Sequence, residues 1–248
     1  MQDYFSSQRL PLFDQATFTV GESWAATNIV LALGLKDPRR VATHVKNAQS
    51  ALTDLLTKDA DAVCVQVVLG LCMVFQESPN LQAASILLAT AVTLVHRLKL
   101  QNDLFWIAYI LDKSIHLRAQ QPPHLLTVVD LPVVGPFRAR AELAVIQASV
   151  YHTLLYSGDI QPLEDALHAY IPSDADLHWS HLYTLAMIYR AHSHNQQWLH
   201  SVMQCESSDV ALRPLPRSWA RIVASARNCM QLQDMPTWYV AYLCSWAV

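Results

Sequence analysis

The feature that most constrains the fold is residues 103–132, a wide apolar helix that runs into a proline-containing loop. Its apolar residues recur at helical spacing and cover more than one face, so a surface helix would leave much of them in water. Asn102 or Asp103 is expected to cap its start, and Pro122-Pro123 ends it because proline cannot continue a helix. We therefore expect a buried central helix. The apolar set is Leu104, Phe105, Ile107, Ala108, Ile110, Leu111 and Ile115, bordered by Trp106 and Tyr109.

The other segments also show helical periods and no strand-like alternation of useful length. The 248 residues are 52% hydrophobic and only 15% charged, with five glycines, a composition that favours long helices around one core. We predict an all-α fold: a single bundle-like domain of about ten helices over residues 21–248, preceded by an arm at 1–20. Ser23 is expected to cap the first helix. The predicted segments are 24–35, 39–57, 61–76, 80–100, 136–156, 162–170, 174–192, 196–205, 217–232 and 237–246.

Several blocks of the sequence resemble the fungal-specific transcription factor domain, the middle homology region of fungal zinc-cluster regulators. The main block is Phe105-Trp106-Ile107-Ala108-Tyr109-Ile110-Leu111-Asp112-Lys113, followed by Leu117-Arg118, Pro122-Pro123 and Asp130-Leu131-Pro132. Residues 65–71, 84–98 and 142–157 resemble the neighbouring helices of that domain, and the likeness covers roughly residues 22–246. The resemblance implies an all-helical part that restrains the regulator, senses a ligand or dimerises.

The sequence departs from that family's pattern in three places. First, a Leu-Gly-Leu-His type turn is replaced by residues 99–103. Second, a Gly-Arg-Pro type turn reads Gln120-Gln121-Pro122, and the acidic run before Leu-Pro keeps only Asp130. Third, we expect no DNA-binding module before the domain. The five cysteines have irregular spacings without a close-set pair, so we expect buried thiols and no zinc cluster. Two explanations stay open: a partner supplies DNA binding, or a zinc cluster precedes Met1 in a longer chain.

Charge and hydropathy exclude other classes of function. A net charge of -3 and a pI near 6.4 give no reason to expect direct binding to nucleic acid by this chain. The longest apolar run, near residues 62–75, is shorter than the roughly 20 residues that span a bilayer, and no secretory signal is recognised. We expect a reducing compartment, the nucleus or else the cytoplasm, and no membrane partner.

Two groups of side chains are candidates for chemistry. Asp112 and His116 are four apart, so the carboxylate would orient the imidazole as in a general base, or the pair would tie the central helix to its neighbours. Ser114 is close by but lies on no nucleophile elbow. His178 and His181, with Asp174 and Asp176 before them, have metal-ligand spacing or else form a polar helix start. We predict no metal and no cofactor.

The function predicted first is a fungal transcription regulator, or the regulatory half of one, without its own zinc cluster, that controls a metabolic or secondary-metabolite pathway. It would act as a homodimer or with a DNA-binding regulator, and a hydrophobic small molecule would bind among the aromatic residues of the second half. One alternative is an isomerase or cyclase of a hydrophobic metabolite that uses Asp112 and His116. Another is an interaction module that heterodimerises with full-length regulators.

Overall fold

The computed structural model describes residues 20–57, 61–78, 80–125, 137–156, 161–172 and 175–193. Within these ranges the chain is helical and contains no strand. They hold eight helices: α1 Val20–Gly34, α2 Pro38–Thr57, α3 Ala62–Phe75, α4 Gln82–Arg97, α5 Asp103–Ala119, α6 Arg138–Tyr156, α7 Gln161–Ala169 and α8 Ala175–Ser193. The all-α prediction is confirmed there. The three helices predicted after residue 195, and the arm up to residue 19, lie outside the described residues.

Local capping explains where two of the buried helices begin. The Asp61 carboxylate accepts a hydrogen bond from Cys64 N at 3.0 Å, and the Asn102 side chain accepts one from Leu104 N at 3.2 Å. Asn102 is thus the cap of α5, and it is one of the two residues predicted for that position. Its extended backbone turns the side chain towards the free N–H groups of the first turn. The prediction for Ser23 was wrong. Helix α1 already begins at Val20, so Ser23 lies within its first turns.

Helices α4 and α5 end in the same hydrogen-bonded turn, the Schellman motif. Lys99 N donates to His96 O at 3.1 Å and Leu100 N donates to Val95 O at 3.1 Å. The end of α5 repeats this pattern around Gln120. Lys99 and Gln120 have φ angles of 51° and 53°, in the left-handed region that favours glycine. The resembled family has a glycine-containing turn at each of these two places, whereas the turns of this chain contain no glycine.

The buried apolar residues form two clusters that meet at α5. The first is built mainly from α1 to α5, with Leu125, Phe137 and Ala144 packed against them. It includes every residue of α3 from Cys64 to Met73 except Gln66 and Gly70. The second joins α6, α7 and α8 to Leu117 near the end of α5. Helix α5 therefore contributes to both clusters, which confirms its predicted central position, and α3, α4 and α5 pack against one another as expected.

The described cysteines match the expectation of buried thiols. Cys64 and Cys72 are buried free thiols, whereas Cys205, Cys229 and Cys244 lie outside the described residues. Burial raises the pKa of Cys72 to about 12. Among the described helices, none combines the length and apolar character needed to cross a bilayer.

Candidate functional site

The Asp112 carboxylate, in the middle of α5, is the centre of a buried polar network. Its Oδ1 lies 3.0 Å from His116 Nδ1 and accepts from His124 N at 2.9 Å. Its Oδ2 accepts from Lys113 Nζ at 3.1 Å and from Leu125 N at 3.0 Å. Both carboxylate oxygens thus have two donors each, which is what a buried charge requires.

The local sequence explains why the loop after α5 returns to Asp112. Pro122 and Pro123 have no backbone N–H, so the N–H groups of His124 and Leu125 are the first two donors after the prolines. The left-handed Gln120 turns the chain back along α5, and both N–H groups reach the carboxylate. One side chain in the helix therefore positions the start of the loop.

Lys113 completes the network at Oδ2 of the carboxylate. Its side chain is 1% exposed, and Nζ donates to Leu125 O as well as to Asp112. The ammonium also lies 5.0 Å from the centre of the Tyr109 ring, within the range of a cation–π contact. The lysine is thus held by a carboxylate, a carbonyl and an aromatic ring.

The pKa values of Asp112, Lys113 and His124 are all lower than their ordinary values, for different reasons. Burial by itself raises the pKa of Asp112, but the hydrogen bonds from His116, Leu125 and His124 and the charge of Lys113 outweigh it, so the pKa falls below its ordinary value. Burial lowers the pKa of Lys113, and Asp112 offsets this only in part. The pKa of His124 is also lowered, first by burial and then by His116.

The network decides which nitrogen of His116 is a donor. Nδ1 lies 2.8 Å from the main-chain oxygen of Asp112 and 3.0 Å from its Oδ1, and both of these atoms are acceptors. In the neutral ring Nδ1 therefore carries the proton, and Nε2 presents its lone pair. Nε2 lies 3.5 Å from the hydroxyl oxygen of Ser85 on α4.

Ser85 marks the place where the network reaches the surface. It lies in an open depression of about 390 Å³ between the start of α4 and the end of α5. The residues that line it are Asn80, Leu81, Gln82, Ser85, Arg118, Ala119 and Gln121. Asp112 and His116 themselves are 0% and 1% exposed, so a molecule in the depression would meet Ser85 before either of them.

The structure thus brings together the two site residues predicted from sequence, Asp112 and His116. It also adds Ser85, which sequence reasoning missed because Ser85 lies 31 residues before His116 and on another helix. The hydroxyl that faces His116 belongs to Ser85 and not to Ser114. A catalytic role for Asp112 and His116 remains a prediction.

The side chains considered as metal ligands, those of His178, His181 and Asp176, each contact a different partner. His181 is buried with Nε2 2.8 Å from Leu167 O, while His178 is exposed beside the Trp179 ring. Asp176 pairs with Arg140 at 2.9 Å. In the part of the chain that the structure describes, no three potential ligands converge, and Asp174 lies outside that part.

The aromatic residues proposed for a hydrophobic cavity lie only partly within the described ranges. Trp179 and Tyr183 are buried in the second cluster, and most of the other aromatic residues proposed for a hydrophobic cavity lie outside the described ranges. The basic residues Lys36, Arg39 and Arg40 are exposed at the surface.

Comparison with known proteins identifies relatives of this helical chain. No protein-family model matches it, and no solved structure is detectably similar. Two curated proteins called ABC-transporter-regulating transcription factor, from Aspergillus fumigatus and Aspergillus oryzae, are each 32% identical over 40% of this chain. The Fusaridione A cluster transcription factor fsdR of Fusarium heterosporum is 24% identical over 56% of it. The chain is thus similar in part to proteins named as fungal transcription factors.

The relatives are much longer than the matched region. The similarity covers 14% of the length of each Aspergillus protein and 35% of the Fusarium protein. The likeness to fungal transcription regulators that the α5 sequence suggested is confirmed by these names, over the matched part of the chain.

Proposed function

We propose that this chain is the helical regulatory part of a fungal transcription regulator. The observation that carries the proposal is its similarity to three proteins named as fungal transcription factors. Since two of them are named for ABC transporters and one for a Fusaridione A cluster, we propose that the target genes belong to a transport or secondary-metabolite pathway. Such a function places the protein in the nucleus.

The position of α5 supports a regulatory role. This helix contributes to both apolar clusters, and Arg118 near its end donates to Gln76 O, the cap of α3, at 2.8 Å. Asp112 holds the loop that follows α5. A molecule or partner that displaced this loop would remove Leu125 from the first cluster and free the Asp112 carboxylate on α5, the helix that reaches both clusters. A coupled element of this kind is what a regulatory domain requires.

We propose that DNA binding is supplied by a separate zinc-cluster module or by a partner protein, with the chain acting as a homodimer or heterodimer. The net charge of -3 fits this division, because a DNA-binding surface needs positive charge. A purified chain that bound one DNA sequence specifically at physiological salt would contradict it. Sedimentation of the chain alone and mixed with a zinc-cluster regulator would distinguish the two dimers.

Transcription regulation is tested by tethering. The 248-residue chain is fused to a heterologous DNA-binding domain, and a reporter with the matching operator is measured in a fungal host. We expect reporter output to change relative to the DNA-binding domain alone. The D112N fusion should give a smaller effect because its fold is less stable, while the E142Q fusion, altered at an exposed ion pair, should keep the full effect. A wild-type fusion that behaves as the DNA-binding domain alone would refute the proposal.

The alternative isomerase or cyclase needs a substrate path to Asp112 and His116. Both side chains are almost fully covered, and the depression next to them is lined mainly by polar residues. This arrangement favours the regulatory role over conversion of a hydrophobic metabolite at those two groups.

A further inference from the structure

Three side chains from two helices form a line from the interior to the surface. Asp112 Oδ1 lies 3.0 Å from His116 Nδ1, and His116 Nε2 lies 3.5 Å from Ser85 Oγ. A carboxylate, an imidazole and a hydroxyl in this order have the roles of a catalytic triad, which recurs on unrelated folds and is recognised by geometry. We propose that Ser85 is a nucleophile activated by His116, and that it takes an acyl group from a small ester bound in the depression between α4 and α5.

The orientation of His116 is the first argument. Asp112 contacts Nδ1 through both its carboxylate and its main-chain oxygen, so the imidazole is fixed with Nε2 as the acceptor. A general base must present this lone pair to the hydroxyl. The Ser85 hydroxyl lies between two acceptors, Nε2 and Gln121 Oε1 at 3.4 Å, and its hydrogen can point to either. The 3.5 Å separation is longer than a strong hydrogen bond, as is common before substrate binds.

Access and electrostatics are the second argument. Ser85 is half-buried and lines the depression, whereas the two residues behind it are covered. It lies one turn into α4, near the positive end of the helix dipole, and Arg118 lines the same depression. Both features favour the negative charge that develops on the carbonyl oxygen of an ester under attack.

The proposed reaction is a two-step hydrolysis. Ser85 Oγ forms a bond to the carbonyl carbon while its proton moves to His116 Nε2, and the C–O bond to the alcohol then breaks as Nε2 returns that proton to the leaving oxygen. Water then attacks the acyl-serine and gives its proton to Nε2. The acid leaves as Ser85 recovers its hydrogen, so water is consumed and no other reactant is needed.

The first experiment uses the full purified chain and a fluorophosphonate probe, followed by mass spectrometry of the labelled peptide. We expect one label, on Ser85, at a rate that falls by roughly 10²-fold or more in H116Q. S85A should remain folded and unlabelled. S114A is the matched control, because it removes a hydroxyl from the same helix as His116, and it should be labelled at the wild-type rate. Absence of a label on Ser85, or a label that persists in S85A, would overturn the proposal.

A second variant keeps the test valid if H116Q does not fold. In S85C the new thiol would pair with His116, so its pKa should lie below the ordinary value of about 8.5, and iodoacetamide should alkylate it rapidly near neutral pH. A purely structural serine would give a thiol with an ordinary or raised pKa. Alkylation that requires alkaline pH in folded S85C would therefore also overturn the proposal.

Discussion

Replacing Asp112 by asparagine should destabilise the fold more than any other conservative change in α5. The substitution keeps the shape of the side chain but removes its charge and converts one acceptor oxygen into an NH2 donor. That NH2 group would face donors, because each carboxylate oxygen now has two of them. Lys113 would also lose its counter-charge in a site where it is almost fully buried.

The size of the effect follows from this burial. Removing one partner of a buried ion pair costs about 3 to 5 kcal/mol, because the remaining charge is left uncompensated. A domain is stable by only about 5 to 15 kcal/mol, so D112N should remain folded but weakly. With a urea dependence of about 3 kcal/mol per molar, the unfolding midpoint should fall by about 1 to 1.7 M.

The assay is urea unfolding followed by tryptophan fluorescence and circular dichroism, with E142Q as the matched control. Glu142 pairs with Arg138 at the same four-residue spacing as Asp112 and His116, but these side chains are 35% and 51% exposed. Loss of such a surface pair costs at most about 1 kcal/mol. A midpoint shift in D112N as small as that in E142Q would refute the view that Asp112 stabilises the fold.

Three further predictions concern single residues. Gln120→Gly should raise stability by about 1 kcal/mol in urea unfolding, since glycine relieves the left-handed backbone at φ 53°, whereas Gln121→Gly should not; equal effects would contradict this. The pKa of His124 is lower in the folded chain than in the unfolded chain, so the unfolded chain binds a proton on His124 more readily. The stability that neutral His124 contributes is therefore present above pH ~6.5 and is lost as the pH falls through the folded pKa. H124Q should flatten this part of the plot of unfolding free energy against pH, and an unchanged plot would contradict the role given to His124. Buried Cys72, with its pKa raised to about 12, should resist alkylation in the folded chain at pH ~8 and should react in urea. Rapid labelling of Cys72 in the native chain, located by peptide mass spectrometry, would show instead that α3 is accessible.

Much of the fold could be read from local patterns. The apolar period of α5, its cap at Asn102 and the four-residue spacing of Asp112 and His116 all depend on neighbours within one or two turns, and the structure agrees with each. Ser23 shows the limit of such rules. Several residues near a helix start satisfy the capping preference, and the place where α1 begins depends on more than that preference.

The partners of Asp112 and His116 across the chain depend on packing. Spacing along a helix predicts that a carboxylate meets an imidazole one turn later, because every helix has the same 3.6-residue period. It does not predict that the loop N–H groups of His124 and Leu125 turn back to Asp112. Nor does it place Ser85 opposite His116, since that contact arises when α4 packs on α5 with one particular rotation. The helices and the polar pair were therefore encoded locally, whereas the complete site exists only once the helices are assembled.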